Sequence, residues 1–147
     1  NMDYLNWRYC DSRGGEFIVK LAEGREGILG YSVLNINSYR KDYPIGYIVD
    51  MLALQDRYDV SEALIVDAVN FFNSNNINLV NYQTVRGHPY EKVLRRHGFV
   101  DSRIKIIVGL EGMKMEEELK KLEKRPASHI LVSWGDHDVL PVELPKY

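Results

Sequence analysis

Asp50 stands in an otherwise apolar run, Ile48-Val-Asp-Met-Leu-Ala-Leu54. A carboxylate among such neighbours is a candidate general base or ammonium ligand, with its pKa raised by burial. The plainer account is a structural acid that caps an adjacent loop or helix. His88, Tyr90 and His97 cluster around one short helical stretch. His88 and Tyr90 lie at its mouth, beside the end of a strand, where open α/β sheets bind ligands. With Asp50 they form the set of catalytic candidates. His97 sits at the opposite end, where the helix dipole alone accounts for a histidine. Asn81, Tyr82 and Gln83 could hydrogen-bond a substrate, although polar residues facing water on a half-exposed strand explain them better. Asp136-His137-Asp138 has metal-ligand residue types, but adjacent turn residues rarely converge on one ion. No metal site is expected there. Cys10 has no activating partner in the sequence, so a catalytic thiol is not expected.

The bounds set by composition are narrow. The chain has 147 residues, 45% apolar and 27% charged, which fits one globular domain and excludes disorder, collagen and coiled coils. No apolar run reaches the roughly 18–20 residues of a membrane span, and residues 1–15 lack the apolar core of a secretory signal. A formal charge of −2, from 19 basic and 21 acidic residues, gives no field for nucleic acid or an anionic membrane. A single cysteine cannot form an internal disulfide, which suits a reducing, cytoplasmic setting.

Positioning elements follow from periodicity and breakers. Tyr4, Leu5 and Trp7 predict a short helix or an extended arm. Strands are expected over 17–22 and 28–37, joined by a glycine-bearing hairpin at 23–27. A third strand over 44–54 reads as buried on both faces near its end. Asp59-Val-Ser-Glu62 has capping-box spacing, so Asp59 is expected to cap a helix that runs to Phe72. That helix is apolar around most of its circumference and is expected to be largely buried. Asn73-Ser-Asn-Asn76 stops it. A strand follows over 77–85, then a helix from Pro89 to His97 with Gly98 as its stop. The helix presents Tyr90, Val93, Leu94 and His97 inward. Beyond it come a strand at 104–108, a charged amphipathic helix over 113–125 and a last strand over 129–134.

This order, with a buried helix after the third strand and a later helix ending in Gly98-Phe99, resembles the GNAT N-acetyltransferase superfamily over roughly residues 16–110. The carrying segments are Leu52–Phe72 and His88–Phe99. More narrowly, Leu5-Asn-Trp-Arg-Tyr9, Val49-Asp50-Met51, Gly98-Phe99 and Trp134-Gly-Asp136 resemble the C-terminal portion of long two-part GNAT-like proteins. The resemblance implies an α/β fold: a mixed, mainly antiparallel sheet flanked by helices, lacking the family's first strand and helices. It implies an arm over 1–15 and one domain over 16–147, excised from a longer chain. The activity implied is acyl transfer from acetyl-CoA to a small-molecule or peptide amine. Backbone groups of Met51, Leu52, Ala53 and Leu54 would hold the pantetheine arm, and Arg57 and Ser61 would lie at the diphosphate.

The family's motifs are altered here. The diphosphate loop, Gln/Arg-x-x-Gly-x-Gly/Ala in the family, falls on Asp56-Arg57-Tyr58-Asp59-Val60-Ser61. A carboxylate at Asp59 adds like charge where a phosphate would sit. The tyrosine that protonates the leaving thiolate in many members falls on Leu94, which cannot be a general acid. A glutamate base that some members carry falls near Ile45. Two other functions therefore stand beside the transferase: a non-catalytic module that packs on or regulates an upstream catalytic half or a second copy, and a small-ligand binder in the cleft between 48–54 and 77–85.

Overall fold

The computed structural model describes residues 2–11, 13, 15–37, 42–103, 121, 124–126 and 130–136. The chain opens with a short helix, α1 (Met2–Leu5), which widens into a π-helical turn over Asn6–Cys10. Four strands follow: β1 (Ile18–Gly24), β2 (Gly27–Asn37), β3 (Ile45–Ala53) and β4 (Leu79–Tyr82). Helix α2 (Tyr58–Ser74) connects β3 to β4, and α3 (Tyr90–Arg96) follows β4. The sheet order is β1-β2-β3-β4, with β1/β2 and β2/β3 antiparallel and β3/β4 parallel. This is the mixed, mainly antiparallel α/β sheet expected from the sequence.

Both helices cover one face of the sheet. Leu34, Ile48 and Met51 point from the strands into a core completed by Leu64, Ile65, Ala68 and Phe72 of α2 and by Tyr90, Val93 and Leu94 of α3. Leu94 is thus a core residue. Close approach of α2 depends on Gly46, where a Cβ would come within 2.6 Å of the Phe72 ring. The opposite face carries a smaller cluster of Tyr9, Val33, Tyr47 and Val49, with Leu5, Phe17, Tyr31 and Trp134 against it.

Several boundaries differ from expectation for identifiable reasons. Helix α2 starts at Tyr58, and Arg57 occupies the cap position without a side-chain cap bond. Asp59 does not cap, because its carboxylate accepts from the Arg57 guanidinium at 2.8 and 2.7 Å. Glu62 does not reach back either; it pairs with His97 Nε2 at 2.9 Å. Helix α2 buries one face only, leaving Ala63, Val66 and Asp67 outside. Its end is as read: Asn76 takes φ 58° and Asn75 bonds back to Phe71. Burial of β3 runs through its middle, Gly46 to Met51, while Leu52 and Leu54 near its end are exposed. The strand expected over 77–85 is shortened to β4.

Residues 130–133 are not in a strand, and Trp134–Asp136 form a single 3-10 turn. The turn arises because the Asp136 carboxylate accepts from Ser133 N–H at 2.7 Å and Ser133 Oγ at 3.2 Å. The strand expected at 104–108 and nearly all of the helix expected at 113–125 lie outside the described residues.

Candidate functional site

A β-bulge places Asp50. The β2/β3 register steps from Val33↔Asp50 to Leu34↔Ile48, so Val49 is an extra residue in β3. Alternation would otherwise put Asp50 on the helix-covered face with Ile48. The inserted residue turns Val49 and Asp50 together to the opposite face, and Met51 returns to the helices. There Tyr9 Oη donates to Asp50 Oδ2 at 3.2 Å, and Tyr31 Oη donates to the same oxygen at 3.0 Å. Among the described residues no donor meets Oδ1. The carboxylate is buried, 8% exposed. Burial first, and then the Asp50 charge, push the Tyr9 and Tyr31 phenols well above their ordinary range. Both therefore remain hydrogen donors.

Three separated segments meet at this point. Arg8 donates to the Gly135 carbonyl at 3.3 Å, and Trp134 lies edge-on to Tyr47 with centroids 6.0 Å apart. A side chain on Gly135 would collide with the Tyr9 hydroxyl. Parts of the segments 5–9, 49–51 and 134–136, which the sequence marks through the family resemblance, thus form one cluster of Leu5, Arg8, Tyr9, Val49, Asp50, Trp134 and Gly135. Tyr9 and Tyr31 were not singled out by sequence reasoning. Tyr9 lay within a segment already marked, and Tyr31 had no signal beyond the high tyrosine content.

On the other face, β3 and β4 part. Their ladder ends at Ile48↔Tyr82, and the strands separate toward Ala53 and Val85. Leu54 N–H bonds to Leu29 O in β2 at 2.9 Å, so by alternation the Ala53 N–H faces the parting. It donates to Tyr90 Oη at 3.0 Å. Tyr90 accepts there, which leaves its own hydroxyl proton available. Burial holds the phenol protonated by raising its pKa. Tyr82 Oη and Thr84 Oγ1 are buried at the β4 side without a protein partner among the described residues. Buried hydroxyls of this kind call for a polar guest. Leu52 and Leu54, by contrast, are exposed at the end of β3.

His88 positions rather than faces this opening. Its Nδ1 accepts from Tyr90 N–H at 3.2 Å, and its ring stands edge-on to the Tyr90 ring at 4.3 Å. Burial lowers its pKa below the ordinary 6.5, so the folded chain holds it neutral at pH 7. The unfolded chain then takes up this proton first as pH falls. The stability contributed by His88 is complete above pH 6.5 and is lost on descent toward the depressed folded value. Urea midpoints measured between about pH 7 and pH 5 should fall with acid. His88→Asn, which retains an acceptor for Tyr90 N–H, should flatten that dependence.

The start of α2 holds Arg57 and Ser61. Ser61 is buried, and its hydroxyl donates to Tyr58 O at 2.8 Å. Arg57 is exposed and engaged by Asp59, whose pKa is lowered to about 2 by that pairing. The family's two glycine positions thus carry Asp59 and Ser61, and the one nearby cation, Arg57, is already neutralised by Asp59. The parting of β3 and β4 fits the amide-bearing arm of an acyl-CoA, while the diphosphate end fits only if Arg57 leaves Asp59.

The remaining candidates do not join these groups. His97 is tied to Glu62. Asn81 and Gln83 are half-buried on and beside β4. Asp136 is occupied by Ser133, and His137 and Asp138 lie outside the described residues. Cys10 is exposed and free. A shallow concavity lined by Trp7, Arg8, Asp11 and Arg13 lies on the arm and contains none of the candidates. No helix among the described residues is long and apolar enough to cross a membrane.

The architecture is that of the GNAT-type acetyltransferases. The chain is similar to a ribosomal-protein-alanine N-acetyltransferase from Brucella melitensis at 10% identity, with 75% of this chain and 81% of that chain covered and a TM-score of 0.57. An acetyltransferase from Trypanosoma brucei matches at 20% identity over 74% of this chain and 77% of the other, with a TM-score of 0.55. An aminoglycoside N-acetyltransferase solved in complex with CoA matches at 15% identity, over 68% of this chain and 80% of the other, with a TM-score of 0.53. At these identities the likeness establishes the fold. No family model and no curated protein matches the sequence.

Proposed function

We propose that the chain is an acyl-CoA-dependent N-acyltransferase whose acceptor amine is held by Asp50. The observation that carries this reading is the buried carboxylate turned out by the bulge, with one oxygen held by two tyrosines and the other without a donor among the described residues. An ammonium is the complementary group. When bound, the cofactor supplies the activated acyl thioester. Met51 and Ala53 of β3, with the Tyr82 and Thr84 hydroxyls opposite, would hold its arm, and Arg57 and Ser61 would lie toward its diphosphate. Asp50 orients the amine and receives the proton it sheds. Tyr90, one helical turn before the leucine that replaces the family's acid, keeps a hydroxyl proton at the opening for the departing thiolate. The CoA complex of another chain of this fold supports the cofactor class without extending to the acceptor.

The Arg57–Asp59 pair favours a second reading, a non-catalytic module packed on an upstream half. Calorimetric titration with acetyl-CoA separates the two. Saturable binding supports the enzyme, and absence of heat supports the module. Asp59→Asn frees Arg57 and removes a negative charge from the first helical turn; it should tighten acetyl-CoA by about two- to fivefold. A variant no tighter than the parent would mean that this helix start does not meet the diphosphate.

A further inference from the structure

The surface next to Asp50 says what kind of amine it takes. Tyr31 belongs to the face opposite the helices, and its register partners are Leu21 on one side and Leu52 on the other. All three therefore share that face. The next rung toward Asp50 is Val19↔Val33↔Asp50. Lys20, between Val19 and Leu21, reaches the other way, to Asp67 and the Phe71 ring on α2. Val19, Leu21 and Leu52 are 41%, 53% and 46% exposed. With half-buried Tyr31 between them, Leu21 and Leu52 form one apolar rung across three strands, which Val19 extends along β1; Val33 is covered, and buried Asp50 lies at the covered corner. The Tyr4–Trp7 ring pair on the arm, with centroids 6.1 Å apart and both rings exposed, supplies further aromatic surface.

We infer that the acceptor is a primary monoamine with an apolar body, its ammonium on Asp50 Oδ1 and its hydrocarbon laid across Leu52, Tyr31 and Leu21. The occupant follows from the charge arrangement. A polycation needs a second carboxylate, and the two rungs offer none besides Asp50. Asp136, next to Gly135 in the cluster with Arg8 and Tyr9, is already held by Ser133. A neutral apolar partner would leave Oδ1 unmet. The inference rests on the reading of Asp50 as the amine-binding group and adds to it the class of amine.

The test is calorimetric titration of the chain, without thioester, with propylamine, pentylamine, heptylamine and spermidine at neutral pH. Affinity should rise about fourfold per added methylene, the increment of a buried CH2, and spermidine should bind no better than propylamine. Leu21→Asp, at an exposed position that leaves the core intact, should abolish the chain-length gradient. Asp50→Asn should abolish binding of all four. A flat gradient overturns the inference, as does tighter binding of spermidine than heptylamine. So does a dimer in sedimentation that Leu21→Asp dissolves, because the floor would then belong to a second copy. Failure to bind acetyl-CoA would sink the transferase reading and leave these amine titrations standing. A flat gradient beside intact acetyl-CoA binding would sink only the apolar acceptor.

Discussion

Phe72→Ala should destabilise the chain by about 3–5 kcal/mol, the range for truncating a fully buried aromatic ring. Phe72 is 0% exposed and joins α2 to the sheet where β3 carries its glycine. Its ring also meets Phe71 edge-on at 5.5 Å. Removal therefore leaves a void that Gly46 cannot fill and that β3 can close only by bending. Gly46→Ala approaches the same contact from the other side, because its methyl group would overlap the ring. It should cost about 1–3 kcal/mol, as overpacking does. The two changes are coupled through one volume, so the double variant should be more stable than the sum of the single losses predicts. Urea denaturation of the four proteins measures this directly. A loss below about 1 kcal/mol for Phe72→Ala would mean that α2 is not seated on β3 through this ring.

The elements that local chemistry dictates were legible in the sequence. The hairpin glycines, the asparagine stop of α2 and the Gly98 stop of α3 each act through their own backbone, and each is found where it was read. Gly27 and Gly98 take φ of 116° and 88°. What could not be read depends on pairs distant in sequence. Asp59 and Glu62 have capping-box spacing, yet the helix starts one residue earlier, at Tyr58, with Asp59 paired to Arg57, and His97, 35 residues away, takes Glu62. Asp50 was found by its apolar neighbours, but its face was not. Which face an acid occupies depends on a bulge, and a bulge is a relation between two strands. Tyr31 and Tyr9 reach Asp50 across 19 and 41 residues. No spacing rule connects them, and a tyrosine in a strand reads first as core or interface. Tyr90 was legible as a helix-start residue, but its bond to Ala53 depends on how far β3 and β4 have parted.

Asp50→Asn should lower the rate of acyl transfer by about 10²- to 10⁴-fold, the usual worth of a positioned general acid or base. The substitution is chosen to isolate charge from architecture. The amide oxygen it introduces still accepts from the Tyr9 and Tyr31 hydroxyls, so the cluster around Gly135 and the fold should survive. What is lost is the anion that holds an ammonium and takes its proton. Accordingly, the amine KM should rise while acetyl-CoA affinity stays unchanged, because Asp50 hydrogen-bonds to Tyr9 and Tyr31 and to none of the groups assigned to the cofactor's arm. Asp50→Leu is the structural control. It strands two buried phenol donors and should cost about 1–3 kcal/mol for each that finds no water, lowering the denaturation midpoint as well as the rate. Tyr31→Phe removes one donor from Oδ2 and leaves Tyr9 in place, so it should affect the rate less than Asp50→Asn does. If Asp50→Asn retains the parent's rate and amine KM, Asp50 is a structural acid satisfied by its tyrosines. The base must then be sought among groups at the β3/β4 parting, with Tyr90 the first to be replaced.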